Sequence, residues 1–171
     1  MTTATASSLL EIAKSVLELS RRSTMKMVAD ISADKFCHQP VPGANHAMWI
    51  LGHLANTDNW FATTLGKRES VIDDSWGKMF GMKTTPVSDL SGYPSVEDVK
   101  ASLERARQSL LEALDSMDEQ QLLAPLPEAM EGFAPNLAGA MSTLAWHEGL
   151  HAGQLSAVRR SLGLPHALEV G

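Results

Sequence analysis

The chain has 171 residues, 44% of them hydrophobic, and 14 Lys and Arg against 20 Asp and Glu give a formal net charge of -6. That is apolar material enough for a single domain over residues 1–171, and the acid excess argues against nucleic acid, which needs Lys and Arg gathered on one face. No stretch approaches the roughly eighteen apolar residues of a membrane span, the start MTTATASSLLEIAKS lacks the pattern of a secretory signal, and a lone cysteine, Cys37, suits a reducing, cytoplasmic compartment.

In chain order, Leu9, Ile12, Val16, Leu19, Met27 and Ile31 recur at helical spacing, with Glu11, Lys14, Glu18 and Arg22 on other faces, so a first helix is expected from Ser7 or Ser8 to about Ile31 with those apolar residues inward. Pro40, Pro42 and Gly43 make Ser32 to Asn45 a connector. Cys37 within it has no basic neighbour better than His38, which favours a buried cysteine over a reactive thiol. A second helix, capped by Asn45 and ended by Gly66, turns Ile50, His53, Thr57 and Trp60 inward. Gly66 to Pro94 is long and irregular, and at about 3.3 Å per extended residue it can return along a whole helix, so helices two and three need not be antiparallel.

Ser95 with Asp98 three residues on resembles a capping box, and Val96, Val99, Leu103, Ala106, Leu110, Leu114 and Met117 carry the third helix. Asp118 to Pro135 is a second connector with a short helical turn over Asp118 to Leu123. The fourth helix is expected from Asn136 to about Leu162, before Gly163 and Pro165, with the seam Leu137, Ala140 or Met141, Leu144, His147, His151, Leu155, Val158 and Leu162. Arg159 and Arg160 suit its C-terminal end. The economical architecture is all-α, a four-helix bundle.

His147 and His151 stand four residues apart and so share one helix face, where two imidazoles can grip one divalent ion. Read as H-E-x-x-H, the segment His147-Glu148-Gly149-Leu150-His151 would make Glu148 the general base of a zinc peptidase, yet residue 157 is Ala where the extended motif needs His, and His166 lies beyond a proline. Upstream, His53 falls on the inward seam of the second helix and completes a three-imidazole set suited to zinc or nickel ahead of iron or manganese, with positions left open for water or substrate. His46, seven residues and about 10 Å of helix before His53, is placed at the helix start or the pocket mouth. Glu148, turned about 100° from His147, remains open as a base, as an orienter of a ligand, or as an interhelical polar contact. Trp49, Trp60, Trp146 and Tyr93 could line a pocket, although packing is expected for at least two; Met25, Met27 and Met48 read as core.

LGHLANTDNW in the second helix, followed much later by HEGLHAGQL, with WGKMF in the crossover and YPSVEDVKASLERAR opening the third helix, resembles the DinB-like superfamily of DNA-damage-inducible proteins, also called DinB/YfiT-like. The resemblance implies an up-down-down-up four-helix bundle with a long crossover between helices two and three, a metal on His53, His147 and His151, and frequent homodimers. It also implies a metal-dependent enzyme that uses a low-molecular-weight thiol on an electrophilic small molecule, as transferase or isomerase, with hydrolysis at the same site as a related outcome. The alternative is a metal-binding stress-response protein without catalysis, whose bundle serves dimerisation or ligand sequestration. A cleft from solvent to the histidines would favour the enzyme.

Overall fold

The computed structural model describes residues 3–167, and among them the regular structure is helical, with no strand. Four long helices, α1 (Thr3–Val28), α2 (Ala47–Gly66), α4 (Val96–Asp115) and α6 (Leu137–Ser161), are joined by segments that hold two short ones, α3 (Trp76–Phe80) and α5 (Glu119–Leu123). None of the helices is long and apolar enough to cross a membrane.

Helix ends follow the side-chain chemistry of the sequence. Asn136 accepts the Gly139 N–H at 2.8 Å, and Ser95 accepts the Asp98 N–H at 3.0 Å while its hydroxyl donates to the Asp98 carboxylate at 2.7 Å. Asp118 and Gln121 make a reciprocal capping box at α5. At α2 the cap is His46 rather than Asn45: its Nδ1 accepts the Trp49 N–H at 3.1 Å, and Nε2, on the other side of the ring, donates to the Val87 carbonyl at 2.9 Å. A fully buried imidazole thereby satisfies a helix terminus and the crossover together, which the shorter Asn45 side chain could not do.

Met27 and Ile31 are buried as expected, but before them the inward face of α1 is rotated from the expected one. Ala13, Leu17, Arg21, Thr24 and Val28 are buried, whereas Ile12 and Leu19 are 61% and 56% exposed. The helix also starts earlier, at Thr3, and stops at Val28. Arg21 and Thr24 explain the rotation: polar residues occupy inward positions and give the pattern of an outward face.

Partner order fixes helix directions. Moving from Asp58 to Gly66 along α2, the neighbour on α4 moves from Arg107 to Ala113, so these two run the same way. Moving from Ser20 to Met27 on α1, the partner on α6 moves from Glu148 to Arg159, so this pair also shares a direction. The crossover after α2 must therefore travel back the length of a 20-residue helix, about 30 Å. Apolar packing is divided between two clusters. One gathers Val28, Ile50, Leu51, Phe80, Leu103, Leu155 and Val158, the other Leu17, Phe61, Leu110, Leu114, Met141 and Leu144.

Gly66 does not supply the left-handed residue that ends α2. Lys67 does, at φ 49°, and Gly66 is needed for another reason: a Cβ there would stand 2.4 Å from the Ala113 Cβ on α4. Replacing a helical glycine by alanine ordinarily gains up to about 1 kcal/mol, but overpacking at a helix contact costs about 1–3 kcal/mol. Gly66→Ala should therefore lower stability in urea unfolding despite its better helix propensity; a stabilised variant would mean that α2 and α4 do not touch here.

Candidate metal centre

His53 comes from the middle of α2, and His147 and His151 come from consecutive turns of α6. One ring nitrogen from each lies within 4.8 Å of those of the other two, a grouping that could hold a metal ion. The Nε2 of His147 sits 3.2 Å from that of His53 and 3.1 Å from that of His151. Ligands at about 2.0–2.1 Å in tetrahedral array would be about 3.3 Å apart, so the rings are already near binding separation.

Proton positions strengthen the fit. His53 Nδ1 is 2.8 Å from the Phe80 carbonyl oxygen, which can only accept, so the proton is on Nδ1 and Nε2 presents a lone pair. His151 Nδ1 likewise donates to Gln154 Oε1 at 2.9 Å, and that oxygen also takes the Asn45 amide at 3.1 Å. A proton on His147 Nε2 can satisfy only one of its two neighbours. The remaining contact sets lone pair against lone pair, an arrangement that a cation relieves. His147 Nδ1 is buried with no hydrogen-bond partner among the described residues. Burial is the largest influence on all three rings and drives their pKa values below the ordinary histidine range; for His151 the value falls to about 4, with His147 and His53 adding to the effect and the Gln154 bond opposing it. They are neutral near pH 7, the state in which imidazole binds metal.

The crossover builds the supporting layer. The Trp49 ring stacks on His53 at 4.7 Å and 8°, and its Nε1–H donates to Thr84 Oγ1 at 2.8 Å. A Cβ on Gly52 would fall 2.4 Å from the Phe80 ring, so this glycine lets Phe80 lie against α2 with its carbonyl at His53. Trp49 is thus a wall of the site, Trp60 is 39% exposed beside a cleft, and Trp146 is 63% exposed on the opposite face of α6 from the core. Tyr93 accepts the Val87 N–H at 3.0 Å and packs on Phe80. Cys37 is buried, and burial pushes its thiol up to about 11, leaving it unreactive. The cleft, about 590 Å³, opens onto His53 and His147 between Trp60, Phe61 and the Met130–Phe133 segment.

Glu148 faces away from the histidines. Its Oε1 takes the Arg21 Nε–H at 2.8 Å and its Oε2 takes Arg107 at 2.7 Å, with the Ser20 hydroxyl at 3.2 Å. Both arginines also hold Asp58, at 2.8 Å and 2.9 Å. This is the interhelical polar contact among the three roles open to Glu148, and a carboxylate so engaged is not placed to take a proton at the histidines. The four side chains are at most 8% exposed. Burial alone would raise the Asp58 carboxyl, but the charges of Arg107 and Arg21 outweigh it and hold the pKa below the usual range.

Several contributors are absent from the sequence reading. The Phe80 carbonyl comes from the end of the five-residue α3 and the Met130–Phe133 wall from the second connector, stretches too short for a periodic signal, whereas Gln154, three residues after His151, could have been found from helix spacing.

The sequence model of the DinB superfamily matches residues 17–155. The crystal structure of a conserved protein from Enterococcus faecalis superposes with a TM-score of 0.70 at 14% identity, covering 95% of this chain and 99% of that one, a likeness of fold. No curated protein matches the chain.

Removing one partner of a buried ion cluster costs about 3–5 kcal/mol. Glu148→Gln should lose stability on that scale in denaturant unfolding, and a variant as stable as the wild type would restore Glu148 as a candidate base.

Proposed function

The chain belongs to the DinB superfamily, and from that membership and the three converging imidazoles we propose a divalent-metal-dependent enzyme that uses a low-molecular-weight thiol on an electrophilic small molecule. The carrying observation is the cleft that reaches His53 and His147 from solvent, since a sealed site would suit a purely structural metal. The fold is read as an up-down-down-up four-helix bundle, consistent with the shared directions of α2 with α4 and of α1 with α6.

His53, His147 and His151 would hold the ion, zinc or nickel by their all-imidazole donor set. Bound there, a divalent ion supplies positive charge that lowers the pKa of a coordinated thiol. The chain's own residues do the rest. Phe80 and Gln154 keep the His53 and His151 rings oriented through their Nδ1 protons. Trp49 covers one face of His53 against water. Trp60, Phe61 and Phe133 give the cleft apolar walls that would position an organic substrate against the histidines. Cys37, buried and unreactive, leaves the sulfur to come from a free thiol in the reducing cytoplasm. A metal-binding protein without catalysis is the second reading, which the open cleft disfavours.

A homodimer belongs to the same proposal. The AGAMSTLA stretch of α6, residues 138–145, is largely used within the chain, since Ala140, Met141 and Leu144 are buried. Among the described residues, Ile12 and Leu19 on α1 and Trp146 and Leu150 on α6 are large apolar side chains left to solvent on these two packed helices.

Purified without an affinity tag, the wild type should carry metal that His147→Ala loses; equal content in both would remove the centre. Cobalt-substituted protein should develop a sulfur-to-metal charge-transfer band with mycothiol, bacillithiol, glutathione or coenzyme A, absent in His53→Ala. No band with any of the four on fully metallated protein would end the thiol reading. Light scattering at micromolar concentration should give about twice the 18.4 kDa chain mass, and the monomer mass would exclude the dimer.

A further inference from the structure

The chain has four asparagines, and three of them are hydrogen-bonded within it. Asn45 donates to Gln154 Oε1 at 3.1 Å, Asn136 caps α6, and Asn59 takes the Val71 N–H at 2.9 Å while donating to Ser70 Oγ at 3.2 Å. Asn56 is the exception. It is half-buried in the interior of α2 and lines the cleft beside His53 and His147, yet its side chain makes no hydrogen bond among the described residues. Asparagine is a poor helix former, at home in caps and turns where its amide finds backbone partners. Neither a cap nor a crossover contact accounts for this one.

We infer that Asn56 is a substrate-binding residue whose amide N–H donates to a carbonyl oxygen of the electrophile held in this cleft. The inference rests on the proposed enzyme and names the residue that orients its substrate. Asn56 follows His53 by three residues, so the two share a face of α2 about 4.5 Å apart along the axis. Other donors nearby are committed: the Thr57 hydroxyl bonds the His53 carbonyl at 2.8 Å, and the His53 Nδ1 proton goes to Phe80. The Trp60 indole N–H has no partner either, but Trp60 stands seven residues, about 10 Å of helix, beyond His53. Across the cleft the Glu131 carboxylate can only accept. A ligand oxygen close to the imidazoles is therefore drawn to Asn56. A cation on His53 and His147 would attract the same electron-rich atom, so the amide and the metal charge act in one direction, the amide supplying orientation. A hydrogen bond to the carbonyl also draws electrons from the carbon conjugated with it, and it strengthens as charge gathers on the oxygen.

Benzylideneacetone carries such an oxygen on a conjugated aryl framework, and β-methylstyrene has the same ring and double bond without it. In calorimetry on the cobalt-loaded full chain, with no thiol added, Asn56→Leu should weaken the ketone about fivefold, the scale of one neutral hydrogen bond, and leave the hydrocarbon no weaker. Asn56→Asp keeps the shape but puts an oxygen where the donor was, and should weaken the ketone further than Asn56→Leu does. The infrared stretch of an isotope-labelled carbonyl, lowered by a hydrogen bond, should rise in both variants with metal content unchanged. Equal losses for ketone and hydrocarbon would reduce Asn56 to a wall of the cleft and overturn the inference. So would a carbonyl stretch that is the same in wild type and Asn56→Leu, which puts the oxygen on the metal or on water, or no ketone binding up to its solubility limit. Metal content measured on the same samples separates the two levels: a wild type that holds no metal, yet whose ketone binding still depends on Asn56, sinks the proposed enzyme and leaves the role of Asn56 standing.

Discussion

Four charges meet at the middle of this fold, one from each long helix: Arg21 from α1, Asp58 from α2, Arg107 from α4 and Glu148 from α6. They form a charged layer between two apolar clusters, with Leu17, Phe61, Leu110 and Leu144 on one side and Val28, Leu51, Leu103 and Leu155 on the other. Such a layer is a weak source of net stability, because desolvating four ions offsets much of their attraction. Its value is positional. A slip of one residue along any helix would strand an ion in an apolar cluster, so the layer fixes register among all four helices at once. Asp58 is five residues beyond His53, and Glu148 directly follows His147. The same two arginines that join the carboxylates therefore set the distance between the helices that present the imidazoles.

The charged layer also marks where the sequence could and could not be read. Helices were legible through three-four spacing, through the side-chain cap at Ser95, and through the prolines between them. The histidine set was legible because an i, i+4 pair on one face leaves few other purposes for a third inward imidazole. What failed was orientation wherever a charge lies buried. On α1, Arg21 at an inward position mimics a solvent face, while Ile12 and Leu19 mimic a core face and stand in solvent. The role of Glu148 stayed open among base, orienter and interhelical contact because its partners on α1 and α4, more than 40 residues away, leave no local trace.

The centre is two-sided. On the His151 side, Gln154, Asn45 and Trp49 close over the rings with hydrogen bonds and ring contacts. On the side of His53 and His147 the walls are aromatic and thioether surfaces around open volume. One side is thus built for holding and the other for admitting, and the rigid side is supplied mostly by helices. The admitting side draws Met82 from the crossover and Met130 to Phe133 from the second connector, both irregular segments set on a helical frame.

Because α2 and α4 point the same way, the chain between them has no short route and must pass along the bundle. That obligatory passage delivers the Phe80 carbonyl to His53 and Thr84 to Trp49. One stretch of polypeptide thereby serves the histidine cluster and the core together. The helices carry the imidazoles and the charged layer; the crossover fixes the proton of His53 and also puts Trp76 and Phe80 into the core. A fold wired in this way ties the surroundings of its imidazoles to a connector that its own topology compels it to keep.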